Sequence, residues 1–375
     1  MKIIIAPDKF KGSLTSMQAC KSIAAGILQV DNTVEILLFP MADGGDGFAE
    51  VLQHYLHTQT VSCNTVDPLM RSVNSRYQWD EKNKTAIVEL ATASGLQLLT
   101  RQERNPMHTS TYGTGLLIQH AIAKGAEKII LGLGGSATND AGIGILAALG
   151  FILLDNSENN LSPVGENLQH IKSIISPTII PAIHFTIACD VQNVLYGAEG
   201  AARIYAAQKG ADENAIKILD DGLQQFAAVV KSQTAKDIAN FAGAGAAGGA
   251  AAGLMAYFDI EIIQGAQLVV AASGIQEQLK DTHLIITGEG KLDNQSNKGK
   301  VVEHIASLGR QNNIPVIALC GVANVDEQQL NEMGFLFVKS IVGNIYTEME
   351  AMQDAGLLLA EKAASAITYY LDSNK

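Results

Sequence analysis

Short apolar runs ending in glycine or an acid alternate along the chain with longer stretches of helical period, the rhythm of a parallel sheet with crossover helices. The runs are KIIIAPD (Lys2–Asp8), VEILLFPMADGGDG (Val34–Gly47), KIILGLGGSATND (Lys128–Asp140), HFTIACDV (His184–Val191), HLIITGEG (His283–Gly290) and IPVIALCGV (Ile314–Val322). Each predicts a strand followed by a loop, and most of the loops are rich in Gly and Asp. Ligands in open α/β sheets bind beyond the carboxyl ends of the strands, so these loops are where function is expected. Between Thr60 and Leu99 the texture changes: TVSCNTVDPLMRSVNSRYQW and TAIVEL alternate apolar and polar residues as antiparallel strands do. The first strand and those from Leu284 onward are alike in character. A discontinuous first domain, residues 1–60 with 265–375, and an inserted second domain, residues 61–264, are therefore expected.

Length supports two domains, because 375 residues exceed what one hydrophobic core usually serves. Hydrophobic residues make up 47% of the chain and aromatics only 5%, so the interior must be built from Ala, Ile, Leu and Val, as in an α/β protein. A formal net charge of −12 argues against a nucleic-acid partner, whose phosphates would call for clustered Lys and Arg. Cys20, Cys63, Cys189 and Cys320 lie far apart without a C-x-x-C spacing and predict reduced, buried thiols. The opening MKIIIAPDKF does not read as a signal peptide, and a cytoplasmic protein is expected. The segment Phe241–Phe258 is uncharged for eighteen residues, but thirteen of them are Ala or Gly. It predicts a Gly-rich turn leading into a small-residue helix that another backbone or a ligand can approach, not a membrane span.

Candidate chemistry lies in the loops. In LGLGGSATNDAGIG a strand runs into Gly134, Gly135, Ser136, Ala137 and Thr138, and a helix is expected from near Asn139 or Asp140. Such a turn can aim backbone N–H groups, hydroxyls and a helix start at phosphate. It matches neither G-x-G-x-x-G nor the lysine-closed P-loop, and an ordinary capped turn reads equally well. APDKFKGSLT places Lys9 and Lys11 before Gly12, with Ser13 or Thr15 as helix cap; the bland reading is solvated surface charge. Asp43 and Asp46 flank paired glycines, which suits a hydrated cation or sugar-like hydroxyls, or else an Asx turn. Asp190 closes a buried strand, where a lone carboxylate is expensive unless it binds metal or takes a proton. In GEGKLDNQSNKGK, Glu289 lies between Gly288 and Gly290 and is followed by Lys291 and Asp293, a mixture suited to a magnesium–phosphate group.

These loops together resemble the bacterial class I glycerate kinases, which phosphorylate glycerate with ATP. APDKFKGSLT, PMADGGDG, GLGGSATNDAGIG, ACDVQNVLYGAEGAA, GAGAAGGAAAGL and TGEGKLDNQSNKGK stand in that family's order, from residue 6 to residue 300. Ala141, Ser296 and the segment GKVVEH depart from the family's usual residues without removing a candidate catalytic group. The resemblance implies two α/β domains, a flavodoxin-like parallel-sheet domain and a mixed α/β domain inserted into it. It implies ATP and Mg2+ as cofactors, glycerate as the small-molecule substrate, and 2-phosphoglycerate ahead of 3-phosphoglycerate as product. On this footing Asp190 orients or deprotonates the acceptor hydroxyl, or holds Mg2+, while Glu289 and Asp293 serve the metal. Lys9, Lys11 and Lys291 supply positive charge. Gly134, Gly135, Ser136, Thr138 and Asn139, with Gly288 and Gly290, surround phosphate. Ser13 and Asp43 contact the acceptor, and Arg71, then Arg203, is the choice for its carboxylate. Nucleotide and acceptor ends could be exchanged, and oligomeric state stays open, a homodimer among the options.

Two rival classes remain. A nicotinamide-dependent oxidoreductase would share Gly-rich strand ends but should carry G-x-G-x-x-G with an acid about twenty residues on. A non-catalytic small-anion binding protein would use the same loops but has no need of Asp190, Glu289 and Asp293 at strand ends.

Overall fold

Three consecutive isoleucines, Ile3, Ile4 and Ile5, are wholly buried in the first strand, as expected of a strand covered on both faces. Fully burying each such side chain contributes about 1.5–3 kcal/mol. The computed structural model describes residues 1–292, 300–325, 327–342 and 347–373. The strands, in chain order, are β1 (Lys2–Ile5), β2 (Glu35–Leu38), β3 (Gln59–Val66), β4 (Ser72–Asp80), β5 (Thr85–Glu89), β6 (Lys128–Gly132), β7 (Ile152–Leu154), β8 (Ser173–Ile175), β9 (His184–Ala188), β10 (Asp259–Ile263), β11 (Leu284–Leu292), β12 (Val316–Ala323) and β13 (Phe337–Ser340).

The chain divides into two compact units, Met1–Asp43 with Gln264–Lys375, and Gly44–Ile263. The first holds an all-parallel sheet in the order β2-β1-β11-β12-β13, the flavodoxin-like order 2-1-3-4-5 when strands are counted within the unit. Helix Ser16–Val30 begins in a capping box: Thr15 Oγ1 accepts from the Gln18 N–H, and Gln18 Oε1 accepts from the Thr15 N–H. Its face of Ala19, Cys20, Ile23 and Ile27 packs with Leu358, Leu359, Ala363 and Ile367 of helix Ala355–Ser373. The two backbones come so close that a Cβ on Gly26 would lie 2.0 Å from the Ala360 carbonyl oxygen.

The second unit holds a mixed six-stranded sheet, β10-β9-β6-β5-β4-β3, and the antiparallel pair β7-β8. Its strands β3, β4 and β5 pair antiparallel, as the alternation between Thr60 and Leu99 predicts, whereas β5, β6, β9 and β10 run parallel. Helix Phe48–Leu56 packs on β4 and β5. The core gathers Val88, Ile129, Leu131, Phe185 and Ile187 from the strands with Leu117, Leu223 and Phe226 from the helices.

The Ala/Gly segment forms a turn and a short helix, Ala246–Tyr257, whose first residues are left-handed: φ is 50° at Ala247, 69° at Gly248 and 92° at Gly249. Glycine at 248 is needed twice, for this backbone and for proximity, since a Cβ there would lie 2.3 Å from the Thr138 carbonyl oxygen. Among the described residues no helix is long and apolar enough to cross a membrane.

Candidate active site

In the second unit the loop after β6 is held from all sides. Ser136 Oγ accepts from the Thr138 N–H at 3.0 Å and lies 2.9 Å from Thr138 Oγ1. The Ala137 N–H donates to the Ser94 carbonyl, and the Ala137 carbonyl accepts from Thr109 Oγ1. The amides of Ala137 and Thr138 are thus engaged inside the protein, and the exposed part of the expected phosphate cradle narrows to Gly134 and Gly135. Gly134 is packed against the paired glycines of the earlier loop: a Cβ on it would lie 2.4 Å from Gly45 Cα. The helix expected from Asn139 or Asp140 begins only at Ile143 and ends at Ala148. Ala141 and Gly142 turn left-handed first, at φ 51° and 70°, so no helix start backs this loop.

Two residues without a role assigned from the sequence hold this backbone. The Asp140 carboxylate is wholly buried and accepts from the Thr111 N–H and Oγ1, at 2.8 and 2.7 Å, and from the N–H groups of Gly142 and Gly144. Burial raises its pKa above the ordinary value, and the hydrogen bonds offset part of that rise. Lys209, 3% exposed, donates from Nζ to the Thr138 carbonyl at 2.6 Å. Burial lowers its pKa from 10.5 to about 8, and the nearby Asp140 charge works against that. Asp140 could have been suspected from its place beside the loop, whereas nothing in the sequence ties Lys209 to it.

Asn139 is fully buried, and neither its Oδ1 nor its Nδ2 has a hydrogen-bond partner within the structure. Asp190 follows β9, the strand beside β6, and is partly exposed; its charge adds to burial in raising the Cys189 thiol. Arg71 lies in the turn between β3 and β4 with its guanidinium on Asp67 and Glu103, so its charge is already matched. Arg203, on helix Ala201–Tyr205, is exposed with Nε 3.5 Å from Asp220.

The first unit assembles a second group at the carboxyl ends of β1 and β11. The Asp8 N–H donates to the Gly288 carbonyl, which draws the APDKFKG loop alongside GEG. A Cβ on Gly290 would lie 3.2 Å from the Lys11 nitrogen. Lys9 Nζ is 3.6 Å from Asp43, and Glu289 is buried. Ser13 Oγ donates to the Phe10 carbonyl, and Thr15, not Ser13, caps the following helix. Lys11 and Lys291 are exposed, and Asp293 lies outside the described residues.

Asp8, which the sequence left without an assigned role, is the strongest electrostatic feature of this group. Its carboxyl is pushed up from 3.8 to about 8, first by burial and then by repulsion from Asp43, with Glu289 adding and Lys9 opposing. The folded protein then keeps a proton that the unfolded chain releases near 3.8, so stability is full in acid and declines as the pH climbs towards about 8. In denaturant titrations without divalent cation, the uncharged Asp8→Asn variant is expected to match wild type near pH 4. At pH 8 it should exceed wild type by on the order of 2–5 kcal/mol. Equal stability at both pH values would mean that Asp8 is comfortably ionised in the folded state.

Comparison with known proteins identifies the family of the chain. The model of the glycerate kinase family matches residues 3–371. The chain is 39% identical to a glycerate kinase of Halalkalibacterium halodurans over 376 aligned positions, spanning 100% of this chain and 99% of that one. It is 37% identical to the glycerate 2-kinase of Escherichia coli, across 95% and 94% of the two chains. The crystal structure of a putative glycerate kinase 2 from Salmonella typhimurium superposes with a TM-score of 0.85 at 34% identity, covering 100% of this chain and 99% of that one. The chain has the α/β architecture of these phosphotransferases. It belongs to the glycerate kinase family.

Proposed function

We propose that the protein transfers the γ-phosphoryl group of Mg·ATP to a hydroxyl of D-glycerate, giving 2-phosphoglycerate and ADP. The observation that carries this reading is the match to the Escherichia coli glycerate 2-kinase across 95% of the chain. The acceptor hydroxyl oxygen attacks the γ-phosphorus, the bond from that phosphorus to the β,γ-bridging oxygen breaks, and the hydroxyl proton passes to Asp190. Catalysis of this kind rests on positioning and charge neutralisation. Lys9, Lys11 and Lys291 supply cations, and Gly134, Gly135 and Asn139 border phosphate in the second unit, as Gly288 and Gly290 do in the first, while Ser136 and Thr138, bonded to each other, shape that loop. Ser13 and Asp43 contact the acceptor. With Arg71 already matched by two carboxylates, Arg203 has the better claim of the two to glycerate's carboxylate.

The residues present fit magnesium. Asp8, Asp43 and Glu289 offer hard oxygen donors, and the repulsion felt at Asp8 is what a divalent cation relieves. Among the described residues no three His, Cys, Asp or Glu form a complete ligand group. Mg2+ commonly takes only one or two carboxylates and completes its shell with water and phosphate oxygens. Glu289, beside Asp8 and Asp43, is the described residue that would hold it, joined on the sequence expectation by Asp293, and the ion would serve to neutralise phosphate charge. The four cysteines are free and buried, which suits a reducing compartment, and we place the enzyme in the cytoplasm. We take the two compact units, Met1–Asp43 with Gln264–Lys375 and Gly44–Ile263, as its two domains; the first boundary falls before residue 60 because helix Phe48–Leu56 packs on β4 and β5.

Incubation of the purified protein with Mg·ATP and D-glycerate, with product identified by phosphorus NMR, is expected to give 2-phosphoglycerate, with none when magnesium or acceptor is omitted. 3-Phosphoglycerate would overturn the regiochemistry. No turnover while ATP still binds would point to another small hydroxy acid, and failure to bind ATP would favour a small-anion binding protein.

A further inference from the structure

Lys209 ends the turn Ala207–Lys209, far along the chain from the loop whose carbonyl it holds. Burying an ammonium is costly, and an apolar side chain would fill a core position at less expense. The Asp140 charge offsets only part of the cost, for its carboxylate accepts hydrogen bonds from Thr111, Gly142 and Gly144 and the Lys209 ammonium donates to the Thr138 carbonyl instead. What the ammonium holds is the peptide between Thr138 and Asn139. Two glycines crowd the same stretch: a Cβ on Gly248 would lie 2.4 Å from Asn139 Cα, and one on Gly165 would lie 3.0 Å from the Asn139 carbonyl oxygen. The backbone of Asn139 is thus fixed from several directions while its amide, fully buried, has neither donor nor acceptor matched. Such a group is costly to bury unless something answers it.

We infer that Lys209 is a positioning residue that sets the Thr138–Asn139 peptide, so that the Asn139 amide donates to an anionic oxygen of a bound substrate. Asn139 touches the ligand, and Lys209 acts through Asn139. The anionic oxygen belongs to the phosphates of ATP or to the carboxylate of glycerate, and this rests on the kinase reading above. Neither residue need enter the chemistry of transfer, so the effect falls on binding.

The test is a double-substitution cycle of Lys209→Met and Asn139→Ala, with KM measured separately for ATP and for glycerate. Each single variant is expected to raise KM for the same one of the two substrates about 10- to 100-fold with a smaller change in kcat. The double variant should do no worse than the poorer single one, because the two act as a unit. Lys209→Arg should restore part of the affinity. Multiplying effects, or KM unchanged for both substrates, would overturn the inference. Two readouts do not need turnover. Amide exchange in Lys209→Met should quicken at Ala137, Gly142 and Gly144 while β6 and β9 keep their protection, and unchanged or uniformly faster exchange counts against the idea. Inorganic phosphate and D-glycerate are titrated calorimetrically into wild type and Asn139→Ala. A wild type that fails to turn over D-glycerate but binds one of these through Asn139 would sink the glycerate reading and leave this inference standing. If Lys209→Met does not fold, Lys209→Arg paired with Asn139→Ala completes the cycle.

Discussion

An Asp140→Ala variant is expected to lose about 3–5 kcal/mol of stability, enough to lower the melting temperature of the second unit by roughly 6–20 °C. The figure follows from what the carboxylate serves. It is the acceptor for the Thr111 N–H and hydroxyl and for the N–H groups of Gly142 and Gly144, all in a fully buried setting. Removing it orphans those donors at about 1–3 kcal/mol apiece, and relief of the carboxylate's own desolvation returns part of the sum. The loss is large beside a net stability of about 5–15 kcal/mol. It should fall on the backbone that turns left-handed at Ala141 and Gly142, since two of the lost hydrogen bonds tie down the residues around that turn. Asp140→Asn, which keeps the shape and one good acceptor, is expected to lose about half as much. Thermal unfolding of the variants beside wild type decides the matter: a melting point within two degrees for Asp140→Ala would show that solvent or a rearranged loop replaces the carboxylate.

The strands were legible because parallel strands covered on both faces read as unbroken apolar runs. KIII, KIILG and HFTIA are such runs, and β3 to β5 announce their antiparallel pairing by alternation. The helix expected from Asn139 or Asp140 begins later, at Ile143, for a tertiary reason. Ala141 has a high helix propensity, yet it adopts φ 51°, because its N–H donates to the Gly248 carbonyl and the neighbouring Asp140 carboxylate takes the Gly142 N–H. Tertiary contacts override propensity there. The chemistry-bearing loops were visible as glycines and acids at strand ends. Their electrostatics were not, because a lysine and a carbonyl that meet across a fold leave no spacing to read. Lys209 and Thr138 are one such pair, and Asp8 became conspicuous only once its burial was known. Arg71 shows the converse. Its partner Asp67, four residues earlier, is visible in DPLMR, but Glu103 is brought to it only by the fold, and the two together spend the charge that had recommended it.

Asp190 offers the sharpest test of the reaction. The residue closes β9 beside the loop after β6, partly exposed, and replacement by asparagine keeps its volume while removing the negative charge. If Asp190 receives the acceptor proton, Asp190→Asn should lower kcat by about 100- to 10,000-fold with a melting temperature close to that of wild type. If instead it helps to hold the metal, the same substitution should weaken the response to magnesium. Raising the Mg2+ concentration would then recover much of the lost rate, whereas a missing proton acceptor cannot be replaced by more cation. The decisive measurement is therefore kcat as a function of Mg2+ at saturating ATP and glycerate. A deficit that persists at every concentration assigns Asp190 to the hydroxyl, and a deficit that closes assigns it to the metal. Activity near that of wild type throughout would remove Asp190 from both roles.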